Sequence, residues 1–188
     1  MSQYAEKAYD KTLVDKAFAK LQKLNKNATT LEKNTLSNVT EWIDTGCLVL
    51  NSILSGSLYG GVPKGRITIF AGEAQCGKTF ILNKILAKAQ ATGMVPVIFD
   101  TEVAIEKEGA ENVGLDVSNV KYVPVDTVEH CRNQIMAFLD GIEEEPALHG
   151  KFIISIDSLG NLASSKEIAD AEANKGAMDM GLRAKQLK

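Results

Sequence analysis

The chain alternates between two hydrophobic rhythms, and the switches between them mark out its elements. Over residues 9–24 the apolar positions are Leu13, Val14, Ala17, Phe18, Leu21 and Leu24, a spacing of three and four that predicts one apolar helix face. Lys16, Lys20 and Lys23 fall among the polar positions of that helix. The next stretch, NKNATTLEKNTLSN, has no sustained period and is rich in Asn and Thr, which predicts a linker. Residues 1–36 therefore read as a small helical element with its linker, and residues 37–188 as the main domain.

In that domain, apolar runs too continuous for a half-solvated strand alternate with helical patterns. GRITIFAGE predicts a strand running into a glycine-rich turn, and KTFILNKILAKAQATG a helix closed by Gly93. MVPVIFDTE and KYVPVD predict a second and a third strand. Residues 127–142 predict a helix with Val128, Cys131, Ile135, Phe138, Leu139 and Ile142 on one face, and KFIISIDSLG a fourth strand with an acidic end. Strands buried on both faces belong to parallel sheets. Their alternation with helices implies right-handed crossovers and an α/β fold, a central mostly parallel sheet flanked by helices.

Composition narrows the class. With 188 residues, 45% apolar and 24% charged, the chain suits one domain with a real core, burying roughly 70% of its extended surface. No apolar run reaches the roughly 18 residues of a membrane span, and the polar start differs from a signal peptide. The expectation is no membrane and a cytoplasmic location, in whatever cell hosts the protein. Cys47, Cys76 and Cys131 form no Cys-x-x-Cys pair, so reduced thiols are expected rather than a disulfide framework or a zinc site. A net charge of −3 excludes coating of nucleic acid by the whole surface and leaves room for a local DNA site.

The chemistry begins at GEAQCGKTF: Gly72, Glu73, Ala74, Gln75, Cys76, Gly77, Lys78, Thr79 and Phe80. Two glycines five apart, then Lys and Thr, between a predicted strand and helix, make a loop that holds phosphates. The glycines let backbone N–H groups converge on phosphate oxygens, and the start of the helix adds its positive dipole end. Lys78 would reach the β and γ phosphates of a bound nucleotide, and Thr79 would ligate Mg²⁺. Cys76 reads as a small loop residue rather than a redox sensor. Asp157 ends the fourth strand, where an acid can hold Mg²⁺ through water; the alternative is a helix cap. Asp100 and Glu102 end the second strand. Glu102 is the better candidate to polarise a water in line with the γ phosphate, the alternative being a solvated loop acid.

With these residues in view a resemblance becomes specific. DTGCLVLNSILSGSLYGGVPKGRITIFAGEAQCGKTFIL resembles the opening of the RecA-family recombinase core, VIFDTE its second strand, and FIISIDSLGNLASSKE the UvsX-type recombinases of large phages. The likeness runs from about residue 40 to residue 188. It implies a RecA-like phosphate-loop NTPase core, with residues 72–79 binding ATP and Mg²⁺, Glu102 activating the attacking water and Asp157 in the magnesium shell. It further implies DNA-stimulated ATP hydrolysis, a helical filament of copies on single-stranded and double-stranded DNA, and mediator and single-strand-binding proteins as partners. IADAEANKGAMDMGLRAKQLK corresponds to the family's first DNA-binding loop, where Met180 can wedge between bases and Arg183 and Lys185 meet phosphates. Residues 166–188 carry five basic and four acidic side chains, so charge alone signals DNA weakly. In the family an element at the position of the first 36 residues docks on the next copy; the alternative is a helix that simply packs on its own core.

Two departures from the pattern matter. TEVAIEKEGAENVG lacks the aromatic that many family members stack on adenine, which leaves Glu106 as a hydrogen-bonding substitute. MDMGLRAKQLK ends without a helix cap, so the reading is an amino-terminal portion of a recombinase, incomplete at its C-terminal end, that alone binds nucleotide poorly and aggregates or takes a partner. The alternatives are a recombination mediator or helicase-type ATPase of the same fold and, less favoured, a small phosphate-loop kinase. Only Arg66, Arg132 and Arg183 occur, too few for a kinase lid.

Overall fold

The computed structural model describes residues 10–172 apart from Leu36 and Ala104. The chain divides into two compact units, Met1–Thr40 and Glu41–Lys188. In the first, helix α1 (Lys11–Leu24) starts where the Asp10 side chain accepts from the Thr12 N–H at 2.9 Å, the capping that short polar side chains supply. Its apolar face exists as the spacing predicts, but Leu13, Val14, Leu21 and Leu24 are exposed and no residue of the helix is buried. The linker contains one 3₁₀ turn, Leu31–Lys33.

The second unit opens with two short antiparallel strands, β1 (Trp42–Ile43) and β2 (Val62–Pro63), joined through helix α2 (Leu48–Ser55). One buried side chain ties this piece together. Asn51 accepts from the Thr45 N–H (2.9 Å) and hydroxyl (2.7 Å) and donates to Asp44 Oδ1 (2.8 Å) and the Leu58 carbonyl (3.0 Å). Gly61 is required by both space and backbone: at φ 134° a Cβ would lie 2.1 Å from the Ile43 carbonyl oxygen.

Helix α3 (Lys78–Ala91) comes directly after the glycine-rich loop and ends at Gly93, whose φ of 87° suits glycine. The main sheet is parallel, in the order β4 (Lys121–Pro124), β3 (Val95–Asp100), β5 (Phe152–Asp157). Helix α4 (Lys107–Asn112) lies between β3 and β4 in sequence, and helix α5 (Val128–Glu143) between β4 and β5. β3 is central, and the odd and even positions of its apolar run serve different layers. Val97 and Phe99 pack with Val128, Cys131, Ile135 and Phe138 of α5. Ile98 packs with Leu86 of α3 and with Ala110 and Leu115. The register sets Asp100 beside Asp157, so both acids emerge at one carboxyl edge of the sheet. Thr127 caps α5, accepting from the His130 N–H. All three cysteines are free thiols, and burial pushes that of Cys131 upward.

One expected element differs. GRITIFAGE forms no strand: β2 ends before it, and residues 67–73 have no ladder. Ile67 is 92% and Ile69 76% exposed, while Phe70 turns inward to the cluster around Ile43, Ile85 and Met94. The physical reason is the lack of a neighbour. Among the described residues no strand presents N–H and C=O groups alongside residues 67–71, and β5 likewise pairs only with β3. A strand-like composition without a partner backbone leaves an extended segment.

Candidate functional site

The site gathers where the loop before α3 meets the carboxyl edge of β3 and β5. The loop curls because Gln75 and Gly77 take positive φ, 62° and 89°. Gly72 leaves room for Cys76, whose Sγ would lie 2.7 Å from a Cβ on that glycine. Gly77 is the N-cap of α3 and supplies no side-chain cap bond, so side chains leave the helix's first N–H groups to an anion. Lys78 Nζ spans the loop, donating to the carbonyls of Gly72 (3.1 Å) and Glu73 (2.7 Å). Phe80 is exposed, with Lys84 Nζ 5.8 Å from its ring centre.

Thr79 and Asp157 meet across the fold. The Thr79 hydroxyl donates to Asp157 Oδ2 at 2.7 Å, joining residues 78 apart in sequence. Asp157 therefore aims at the loop rather than capping a helix; the next turn, Leu159–Asn161, has no side-chain cap. Among the described residues no group of three His, Cys, Asp or Glu could enclose a metal. A hydroxyl beside one carboxylate instead suits a hard cation that keeps water and phosphate as most of its ligands, which is the habit of Mg²⁺.

The two acids of FDTE have separate fates. Asp100 is 1% exposed. Its Oδ1 accepts from the N–H groups of Glu102 and Val103, both at 2.9 Å, and its Oδ2 from Ile105 N–H (3.3 Å) and the Tyr122 hydroxyl (2.9 Å). Burial, then the bond to Asp100, pushes the Tyr122 phenol above its usual range. Asp100 is thus consumed in shaping the turn, where Val103 sits at φ 53°. Glu102 is exposed, and its Oε1 accepts from the Ser158 hydroxyl at 3.1 Å and from the Asn161 amide. Thr101 fastens the two strand ends: its N–H donates to the Asp157 carbonyl (2.9 Å), its hydroxyl to the Ser158 carbonyl (2.9 Å), and it accepts from Ser158 N–H (3.0 Å).

The structure thus brings Lys78, Thr79, Asp157 and Glu102 to one edge. Met180, Arg183 and Lys185 lie outside the described residues. Thr101, Ser158 and Asn161 are site residues that sequence patterns alone do not single out. Their only signal was polarity immediately after two acid-ended strands, which loops carry routinely.

Fold and loop together define an α/β protein of the phosphate-loop type. The sequence profile described as the RecA N-terminal domain matches residues 11–188, and the chain belongs to that family. Among similar proteins, Protein RecA of Clostridium tetani is 33% identical over 154 residues, 82% of this chain and 40% of that protein. The recombination and repair protein of Enterobacteria phage T4 is 34% identical over 153 residues, 80% of this chain and 38% of the relative. Protein RecA of Frankia alni is 32% identical over 182 residues, 96% and 47% of the two lengths. The chain spans less than half the length of these curated relatives. Among the described residues no helix is long and apolar enough to cross a membrane.

Proposed function

We propose that this chain is the nucleotide-handling portion of an ATP-dependent DNA recombinase. The observation that carries the reading is the 2.7 Å contact of Thr79 with Asp157, with Glu102 bonded to the residue after that aspartate. Backbone N–H groups of residues 72–79 and the start of α3 would hold the triphosphate of ATP, with Lys78 leaving its loop carbonyls for phosphate oxygens. Thr79 and Asp157 would hold Mg²⁺, which supplies neutralisation of charge on the transferring phosphoryl group.

Glu102 orients one water and accepts its proton. The water oxygen bonds to the γ phosphorus as the bridging P–O bond to the β phosphate breaks, giving ADP and inorganic phosphate. DNA-stimulated turnover, filaments of copies on single-stranded DNA, pairing with a duplex, mediator and single-strand-binding partners and a cytoplasmic site of action follow from the family likeness alone. ATP promotes DNA affinity to the extent that it favours the filament, and the coupling is reciprocal.

The test is ATP hydrolysis with and without single-stranded DNA, for the full-length protein and for its Lys78→Ala and Glu102→Gln variants, with filaments scored by electron microscopy. The expected result is turnover raised by DNA, lost in Lys78→Ala and cut to a small residual rate in Glu102→Gln. Turnover indifferent to DNA, without filaments, overturns the recombinase reading.

A further inference from the structure

Glu102 is held in an unusual way for a group asked to take a proton. Both of its side-chain donors, Ser158 Oγ and Asn161 Nδ2, converge on a single oxygen, Oε1. Among the described residues Oε2 accepts from none. Neither donor is charged. A hydroxyl and an amide on one oxygen fix the plane of the carboxylate by geometry and leave the other oxygen facing away from them.

The donors are themselves fixed. Ser158 is clasped by Thr101 through two reciprocal bonds. Asn161 lies in a 3₁₀ turn whose next residue, Leu162, is 1% exposed in the core under α5. The Glu102 backbone is pinned in turn by Asp100. Carboxylate and donors thus stand on two strand ends stitched to one another, the rigid support a catalytic group needs.

We propose that Asn161 and Ser158 are positioning residues for Glu102: by occupying Oε1 they turn Oε2 toward the reacting water. The inference rests on the hydrolytic reading above. It gives DSLGN a task beyond ending a strand, with Asp157 serving the cation and the serine and asparagine serving the base on the neighbouring strand.

The test combines Asn161→Ala, the isosteric Asn161→Asp and Ser158→Ala with Glu102→Gln. Asn161→Ala should lower kcat about 10-fold, and Asn161→Asp, which replaces a donor with a like charge, about 100-fold, while KM and the binding of a fluorescent ATP analogue change less than about twofold. Added to Glu102→Gln, Asn161→Ala should cost nothing more, because the two act as a unit. Without nucleotide, the Asn161 side-chain NH₂ resonances should move when Glu102 becomes Gln. Wild-type protein without turnover overturns the hydrolytic reading and this inference with it. Turnover that Glu102→Gln cuts to a residual rate but the Asn161 and Ser158 variants leave unchanged overturns the inference alone. So do additive losses in the double variant, or loss of analogue binding in both Asn161 variants.

Discussion

At the scale of single residues, the two carboxylates of FDTE divide structure from chemistry. Asp100 satisfies three backbone N–H groups and a phenol inside the protein. Removing such an acceptor strands several buried donors, each costly. Asp100→Ala should therefore lower stability by about 3 kcal/mol or more in urea titrations, whereas the exposed Glu102→Gln should change it by about 0.5 kcal/mol or less. The sequence displayed both acids and offered Glu102 as the better candidate to polarise a water. It did not display Asp100's employment, because turn N–H groups that converge on a carboxylate leave no mark in residue type. Asp44 gives a pH-dependent counterpart. Its bonds from Asn51 and the Gly46 N–H, with Lys88 at 3.1 Å, hold its pKa below the ordinary aspartate value of 3.8. A depressed folded-state pKa gives stability that is fully present above the unfolded value and lost as pH falls through the folded one. Urea midpoints measured from about pH 5 to pH 2 should fall, and Asp44→Asn should flatten that limb.

At the scale of elements, legibility tracked the supply of partners. The helices at Lys78–Ala91 and Val128–Glu143 and the strands at Val95–Asp100 and Phe152–Asp157 were visible because each buries its apolar pattern against another element of the chain. The segment at residues 67–71 has an equally clear strand pattern and no ladder. A strand is a relation between two backbones, and its sequence states only one of them. In β3 the same kind of sequence lies between two neighbours and carries buried Val97, Ile98 and Phe99. Hydrogen exchange separates the two cases. The amides of Ile67, Thr68, Ile69 and Phe70 should exchange within seconds at neutral pH, while those of Val97, Ile98 and Phe99 should be protected by orders of magnitude. Slow exchange at Ile67 and Ile69 would mean that a backbone partner covers them in solution.

At the scale of the whole molecule, the site is a convergence of distant pieces, and that convergence sets how ligand and fold interact. The loop comes from residues 72–79, the proposed base Glu102 from just past the end of β3, and Asp157 with the two donors Ser158 and Asn161 from the end of β5. None of them has a place to act until β3 and β5 are in register. A triphosphate held by this arrangement binds the folded chain and not the unfolded one, so its binding energy adds to stability. At a free concentration of 100 times Kd the gain is about 2.7 kcal/mol, and for a chain of this length each kcal/mol moves the melting temperature by about 2–4 °C. Thermal melts with Mg²⁺ and a slowly hydrolysed ATP analogue should therefore shift upward by about 5–10 °C. Lys78→Ala should lose most of the shift with an unchanged ligand-free melt, because among the described residues Lys78 Nζ bonds only to exposed loop carbonyls. Glu102→Gln should keep it, since a group that serves the attacking water adds little to ground-state binding. A shift that survives Lys78→Ala would mean that the nucleotide sits elsewhere than in the loop.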